Sequence, residues 1–177
     1  MRIPDEETAT VLSSSEIRDE ELDVTFLLWL TARATAALMD ATVAPSGLTG
    51  DEFAVYSILA SSEATTPSTL ARWMAAPPTT VSSYVKRLEA RGHVIRKPNP
   101  NDKRSYRIVL TPAGRDTHGS AQQAFRPVSS ALSAALGAEE STVTSALITF
   151  RPVIDALRNQ PENSNPPQFE NKSDHPR

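Results

Sequence analysis

The stretch "LARWMAAPPTTVSSYVKRLEARGHVIRKPNPNDKRSYRIVLTPAGR", residues 70–115, changes its hydrophobic rhythm part-way along. In its first half Val81, Val85 and Leu88 recur at helical spacing, with Tyr84 at the edge of the stripe. Pro78 can open that helix and Gly92 can end it. In its second half, residues 93–97 and 106–110 read as two short β-strands. Asn99, Pro100, Asn101 and Asp102 between them supply turn chemistry. Just upstream, Thr66 and Pro67 provide a cap and a first helical position for a shorter helix, "PSTLARWMA", which breaks at "APP". Two helices joined by a tight break are a helix-turn-helix. A hairpin directly behind the second is a wing.

Outward from this segment the chain is mostly helical. "DVTFLLWLTARATAALMDA", from Asp23, has Phe26, Leu30, Ala34, Ala37 and Leu38 on one stripe, widened by Leu27, Leu28 and Trp29. A helix apolar on more than one side is either central to its domain or buried against a second subunit. "APSGL" breaks it, and Thr49-Gly-Asp-Glu52 then reads as a capping box before "DEFAVYSILA". Beyond the hairpin, Thr111-Pro112 starts a long helix running to about Leu136, and a last helix follows Gly137. Pro127 and Pro152 fall inside these two and are each expected to kink or end its helix. Residues 1–20 and 159–177 are polar and low in apolar content, as disordered arms are. The fold class is mainly α with a small β-hairpin.

Charge is unevenly distributed along the 177 residues. From Pro67 to Arg115 ten cations face two acids, a net +8; the remainder holds eight cations and nineteen acids, a net −11. A positive field within an acidic body suits a polyanionic partner. Cysteine is absent, which excludes disulfides, Cys-ligated zinc and a thiol redox sensor. The acidic N-terminus does not read as a secretory signal, and no uninterrupted apolar run reaches the ~20 residues of a membrane span. A cytoplasmic protein is expected.

With Val81, Val85 and Leu88 turned inward, the opposite face of the second helix carries Thr79, Ser83 and Lys86, flanked by Thr80, Ser82 and Arg87. Small hydroxyls let a helix sit deep in a major groove, and the two cations reach toward phosphates or base edges. Capping alone would need one or two hydroxyls rather than four. At the hairpin tip Lys103 and Arg104 project outward, where a guanidinium can enter a narrow minor groove. Asp102, two residues before Arg104, is placed to hold that side chain by a charge-assisted bond.

These motifs resemble the MarR family of bacterial winged-helix transcription regulators. The matching features are the "LARWM" helix, "TTVS", "RLEARG", the "DKRS" wing and "LTPAGR", and the order of helices agrees from about Asp23 to Leu157. The resemblance implies a winged helix at 48–115 within a domain spanning 21–158. Residues 21–44 and 112–158 would form the dimerisation helices of a homodimer that reads a pseudo-palindromic double-stranded operator. It also implies a small-molecule, often phenolic, effector and a regulator that acts most simply as a repressor. Family members often carry Arg where Ser83 stands here, and glycine is common in the turn held by Ala75-Ala76.

No catalytic constellation is present: the three histidines are scattered, and neither a phosphate-cradling loop nor a nucleophile motif occurs. No enzyme, cofactor or metal site is expected. For an aromatic effector, Trp29, Arg33, Phe53 and Tyr56 are the candidate pocket residues, although core packing explains Phe53 and Tyr56 as well. The alternative function is a winged helix that binds protein, or an architectural DNA binder without ligand response.

Overall fold

The computed structural model of the chain describes residues 22–62 and 65–159. The acidic arm and all but the first residue of the C-terminal tail lie outside them. Helix α1 (Val24–Val43) begins at Asp23, whose carboxylate accepts the backbone N–H groups of Thr25 (2.8 Å) and Phe26 (3.1 Å). Those bonds favour the ionised carboxylate and hold its pKa below the usual value. Helix α2 (Gly50–Ala60) opens with the expected capping box: Glu52 N–H donates to Thr49 Oγ1 (3.1 Å), and Thr49 N–H donates to Glu52 Oε2 (3.3 Å). Then come α3 (Pro67–Trp73), α4 (Pro78–Ala90), β1 (Val94–Pro98), β2 (Tyr106–Leu110), α5 (Pro112–Leu136) and α6 (Glu140–Arg158). The result is mainly helical with one small antiparallel hairpin, in the winged-helix order that the sequence predicts.

Packing divides the chain into two compact units, Met1–Ser129 and Ser130–Arg177, and α5 runs from the first into the second. The first unit holds the core. Phe53, Val55, Tyr56 and Leu59 of α2, Leu70 of α3, Val81, Val85 and Leu88 of α4, and Val94, Ile108 and Leu110 of the strands are all buried together. The inward stripe of α4 is thus the one its periodicity predicts. In the hairpin Val94 pairs with Leu110, Arg96 with Ile108 and Lys97 with Arg107. The N–H of Ile108 donates to the carbonyl of Thr65 (2.9 Å), so the segment between α2 and α3 also ties to β2.

Two expectations bear on the long helices. The helix with its 3-10 extension, Val24–Ser46, is 23 residues long and has the length and composition of a membrane span, a test that the core helix of a soluble protein also passes. Its apolar run is not uninterrupted, because threonines, Arg33 and Asp40 are spread among the large side chains. Its C-terminal end is fixed to the winged helix: Val43 is buried, Met39 packs on the core, and Asp40 Oδ1 accepts the N–H of Gly50. The second expectation is that the prolines kink or end their helices, and the ending does not occur. Neither Pro127 nor Pro152 ends its helix, since α5 and α6 continue through them. Proline removes one ladder bond, but the flanking turns keep theirs, and in α5 Ala121 and Val128 on either side are buried.

The second unit comprises the end of α5, a 3-10 turn at Gly137–Glu139 and α6. Across that turn Ser133 Oγ donates to Glu140 Oε1 (2.6 Å). Helix α6 leaves Leu147, Ile148 and Leu157 at least half exposed.

Candidate nucleic-acid interface

The helix-turn-helix is built from local chemistry. Thr66 Oγ1 accepts the N–H of Thr69 (3.2 Å) and Pro67 supplies the first helical position of α3. The turn to α4 passes through Ala75, the one described non-glycine residue with a positive φ, at +49°. Glycine adopts this conformation more easily than alanine, whose Cβ disfavours the left-handed region. The turn is closed by Ala76 N–H donating to Ala71 O (3.0 Å).

On α4, Thr79, Thr80, Ser82, Ser83, Lys86 and Arg87 are all exposed on the side away from the core. The first turn offers small hydroxyls, no acid and a helix N-terminus, which together suit an approaching phosphate. Ser83 Oγ donates to Thr79 O (3.0 Å), a back-bond within the helix that leaves its lone pairs outward. The two cations differ. Lys86 carries no ion pair among the described residues. Arg87 bends back over the ring of Tyr84 (4.8 Å to the centroid), and its Nε lies 3.7 Å from Glu52 Oε1.

Glu52 joins two helices, where sequence reasoning reduces it to a cap. Its carboxylate is 4% exposed; one oxygen closes the capping box and the other lies 3.3 Å from Arg91 Nη1 as well as near Arg87. A buried carboxylate needs such partners. Next to it Tyr84 Oη donates to Asp51 Oδ2 (2.9 Å), and burial raises the Tyr84 pKa, with this bond adding to the rise. The first turn of α2 therefore grips the C-terminal half of α4. Only the contact between α2 and α4 reveals this, and no spacing in the sequence encodes it; the surplus acid at Asp51 beside an already complete cap is the one hint the sequence carries.

The wing is held at its base and free at its tip. Thr111 Oγ1 donates to Gly92 O (2.7 Å) and accepts the N–H of Gly114 (3.1 Å), coupling the end of α4, the hairpin and the start of α5. Gly114 packs so closely that a Cβ there would stand 2.1 Å from His93 O. On the hairpin stem Arg96 donates to Glu89 Oε2 (2.8 Å) and lies over Tyr106. At the tip Asn101 N–H donates to Asn99 Oδ1 (3.2 Å), and Arg104 N–H donates to Asp102 Oδ1 (2.9 Å). Asp102 thus holds the backbone of Arg104 rather than its guanidinium, because a two-residue separation closes the compact ring of an Asx turn. The side chains of Lys103 and Arg104 are exposed.

The four candidate effector residues separate into two pairs. Phe53 and Tyr56 are core: Phe53 packs against His118 and Phe125, and the Tyr56 hydroxyl bonds His93 Nδ1. Burial raises the Tyr56 pKa. Trp29 and Arg33 lie on the open face of α1, with the guanidinium 5.2 Å from the indole centroid and Trp29 stacked on Phe26. Among the described residues no group of three or more His, Asp or Glu is placed to hold a metal ion.

A helix-turn-helix with an exposed hydroxyl-and-lysine face and a cationic wing defines a winged-helix protein of the DNA-binding type. Residues 46–105 match the model of the MarR family. The transcriptional regulator MosR of M. tuberculosis, solved in complex with DNA, is 25% identical, with 77% of this chain and 99% of that one covered and a TM-score of 0.65. A mutant of MarR from E. coli, complexed with operator DNA, is 24% identical over 76% of this chain and 97% of that one, at a TM-score of 0.62. NadR in complex with 4-hydroxyphenylacetate is 18% identical over 76% and 96%, at 0.65. No curated protein sequence matches the chain. The winged helix, residues 46–105, is thus similar to that of the MarR family, and the fold is similar to that of the solved transcriptional regulators of this kind.

Proposed function

We propose that the protein is a dimeric, sequence-specific reader of double-stranded DNA that represses transcription and is released by a small aromatic ligand. The observation that carries the reading is the pairing, on one lobe, of the exposed first turns of α4 with an exposed cationic wing tip that has no ion pair among the described residues. In this reading Thr79, Thr80, Ser82, Ser83 and Lys86 meet the major groove. Lys103 and Arg104 enter the flanking minor groove, with Asp102 shaping the turn. Arg87 acts by holding α4 at its angle, through Tyr84 and Glu52. DNA complexes of MosR and MarR, which share the fold, support the polyanion partner over a protein partner.

Dimerisation is supported by apolar surface that a monomer would leave wet. Phe26, Trp29 and Leu30 on α1, and separately Ile148, Val153, Ile154 and Leu157 on α6, are 39% to 68% exposed. The cation–π pair of Trp29 and Arg33 suits an aromatic carboxylate, and NadR supplies a precedent for an aromatic acid within this fold. The working compartment is the cytoplasm.

Selection of bound duplexes from a random pool, at moderate salt, tests the reading. The expected result is an enriched inverted repeat with half-sites about one helical turn apart. Salt-sensitive binding without enrichment would overturn sequence specificity. Release of the selected duplex by a panel of phenolic acids tests the effector, and no release by any of them would remove it.

A further inference from the structure

One hollow of the first unit is used by none of this. It measures about 410 Å³, within the range of small-ligand pockets, and is lined by residues from the end of α2, both strands and the start of α5. Three cations line it, Lys97 of β1, Arg107 of β2 and Arg115 of α5, together with an aliphatic lining that includes Leu59, Val109 and Leu110. The hairpin register sets Lys97 directly opposite Arg107, and like charges so placed weaken a sheet unless something neutralises them. Among the described residues neither has an ion-pair partner, and no acid lines the hollow. Arg115 is fixed there by donating from Nη1 to Leu110 O (2.8 Å).

We propose that this hollow binds a small aliphatic carboxylate. The carboxylate sits among Lys97, Arg107 and Arg115, and the alkyl chain lies along Leu59, Val109 and Leu110. The three cations among the described lining residues favour an anion. The aliphatic lining favours an apolar body, which a sugar-phosphate backbone lacks. The described lining contains no aromatic side chain, so nothing selects a ring over an alkyl chain. The site is separate from Trp29 and Arg33 on α1 and from the exposed face of α4. Its cations belong to the strands that carry the wing, so occupation would lower the local positive field and weaken DNA binding. That last consequence, unlike the site itself, rests on the wing being a DNA contact.

Calorimetry on the full chain with octanoate, octanamide and inorganic phosphate tests the site without DNA. Octanoate is expected to bind saturably at one site per chain. Octanamide and the Arg107→Gln variant should each bind about tenfold more weakly, as loss of a charge-assisted bond predicts. Hexanoate should lose about two- to fourfold per methylene removed. Thermal melts of Arg107→Gln and Lys97→Gln check that both variants fold. No octanoate heat, or phosphate binding as tightly as octanoate, would overturn the proposal. So would unchanged octanoate binding in both variants together with a flatter salt dependence of DNA binding, which would make these cations backbone contacts. A distant control, Arg104→Ala, should leave octanoate affinity unchanged; an equal loss there would reduce the site to a diffuse field. Gel shifts with octanoate then read the link to DNA: saturable binding with unchanged DNA affinity upholds the site and removes only that link.

Discussion

The base of the winged helix and the tip of the wing handle the same charges in opposite ways. At the base Arg87 and Arg91 converge on a carboxylate that is almost fully buried, Tyr84 bonds Asp51, and Gly114 presses against His93. At the tip Lys103 and Arg104 are exposed, and the side chains of Asn99 and Asp102 accept backbone N–H groups of the turn itself. Cations at the base lock an element in place, while cations at the tip are left to meet a partner. Stability should therefore reside in the base and affinity in the tip.

The sharpest way to break this division is at the base. Gly114→Ala forces a Cβ to 2.1 Å from a carbonyl oxygen, and neither backbone can yield without moving α5 off the hairpin. A loss of about 3 kcal/mol in urea unfolding is expected, the upper range for overpacking. An unchanged midpoint would show that the junction has slack. Next in size is Glu52→Gln. Glutamine keeps the capping box but removes the charge shared by Arg87 and Arg91, whose side chains are about half exposed. About 1 kcal/mol of stability should go, and specific DNA affinity should fall more than non-specific affinity. Equal losses in both would mean that Glu52 does not set the angle of α4.

At the tip the expectation reverses. Arg104→Ala should leave the melting temperature within experimental error and weaken DNA binding about tenfold. The slope of log affinity against log salt should flatten by about 0.9 for each phosphate that the variant no longer neutralises. Unchanged affinity would take the wing out of the mechanism.

The same contrast governs what the sequence reveals. Everything held by local chemistry is legible in it: the capping box at Thr49, the cap at Thr66, the inward stripe of Val81, Val85 and Leu88, the terminating Gly92 and the turn at Asn99–Asp102. Each is a short-range pattern with one physical reading. What escapes it joins residues distant in the chain. Arg87 reads as a groove-facing cation from its place on the helix, because the acid that draws it back lies thirty-five positions upstream. Asp102 reads as a partner for the guanidinium of Arg104, although two residues of separation favour the backbone. Proline rules predict a kink or an end in α5 and α6 from one missing bond, and the end does not occur because both helices continue through their prolines.

The smallest expected effect sharpens the description of the base rather than breaking it. His118 of α5 is partly buried against α2, with Nε2 3.1 Å from Ser57 Oγ and the ring stacked on Phe53 (5.7 Å). Burial disfavours the imidazolium, so its pKa is lowered from the usual 6.5. The unfolded chain then takes up a proton at His118 at a higher pH than the folded one, and stability follows the difference in bound protons. Above the unfolded value both states are neutral and His118 adds no pH dependence. As pH falls through about 6.5 the unfolded state gains, and stability declines until the folded pKa is passed. Thermal melts between pH 7.5 and 5.5 should show a decline that is shallower in His118→Gln, which can still bond Ser57. Burial alone sets the direction of this shift, with no neighbouring acid to oppose it among the described residues. An equal decline in the variant would therefore mean that the imidazole is solvated and that α5 sits more loosely on α2 than the contacts of His118 indicate.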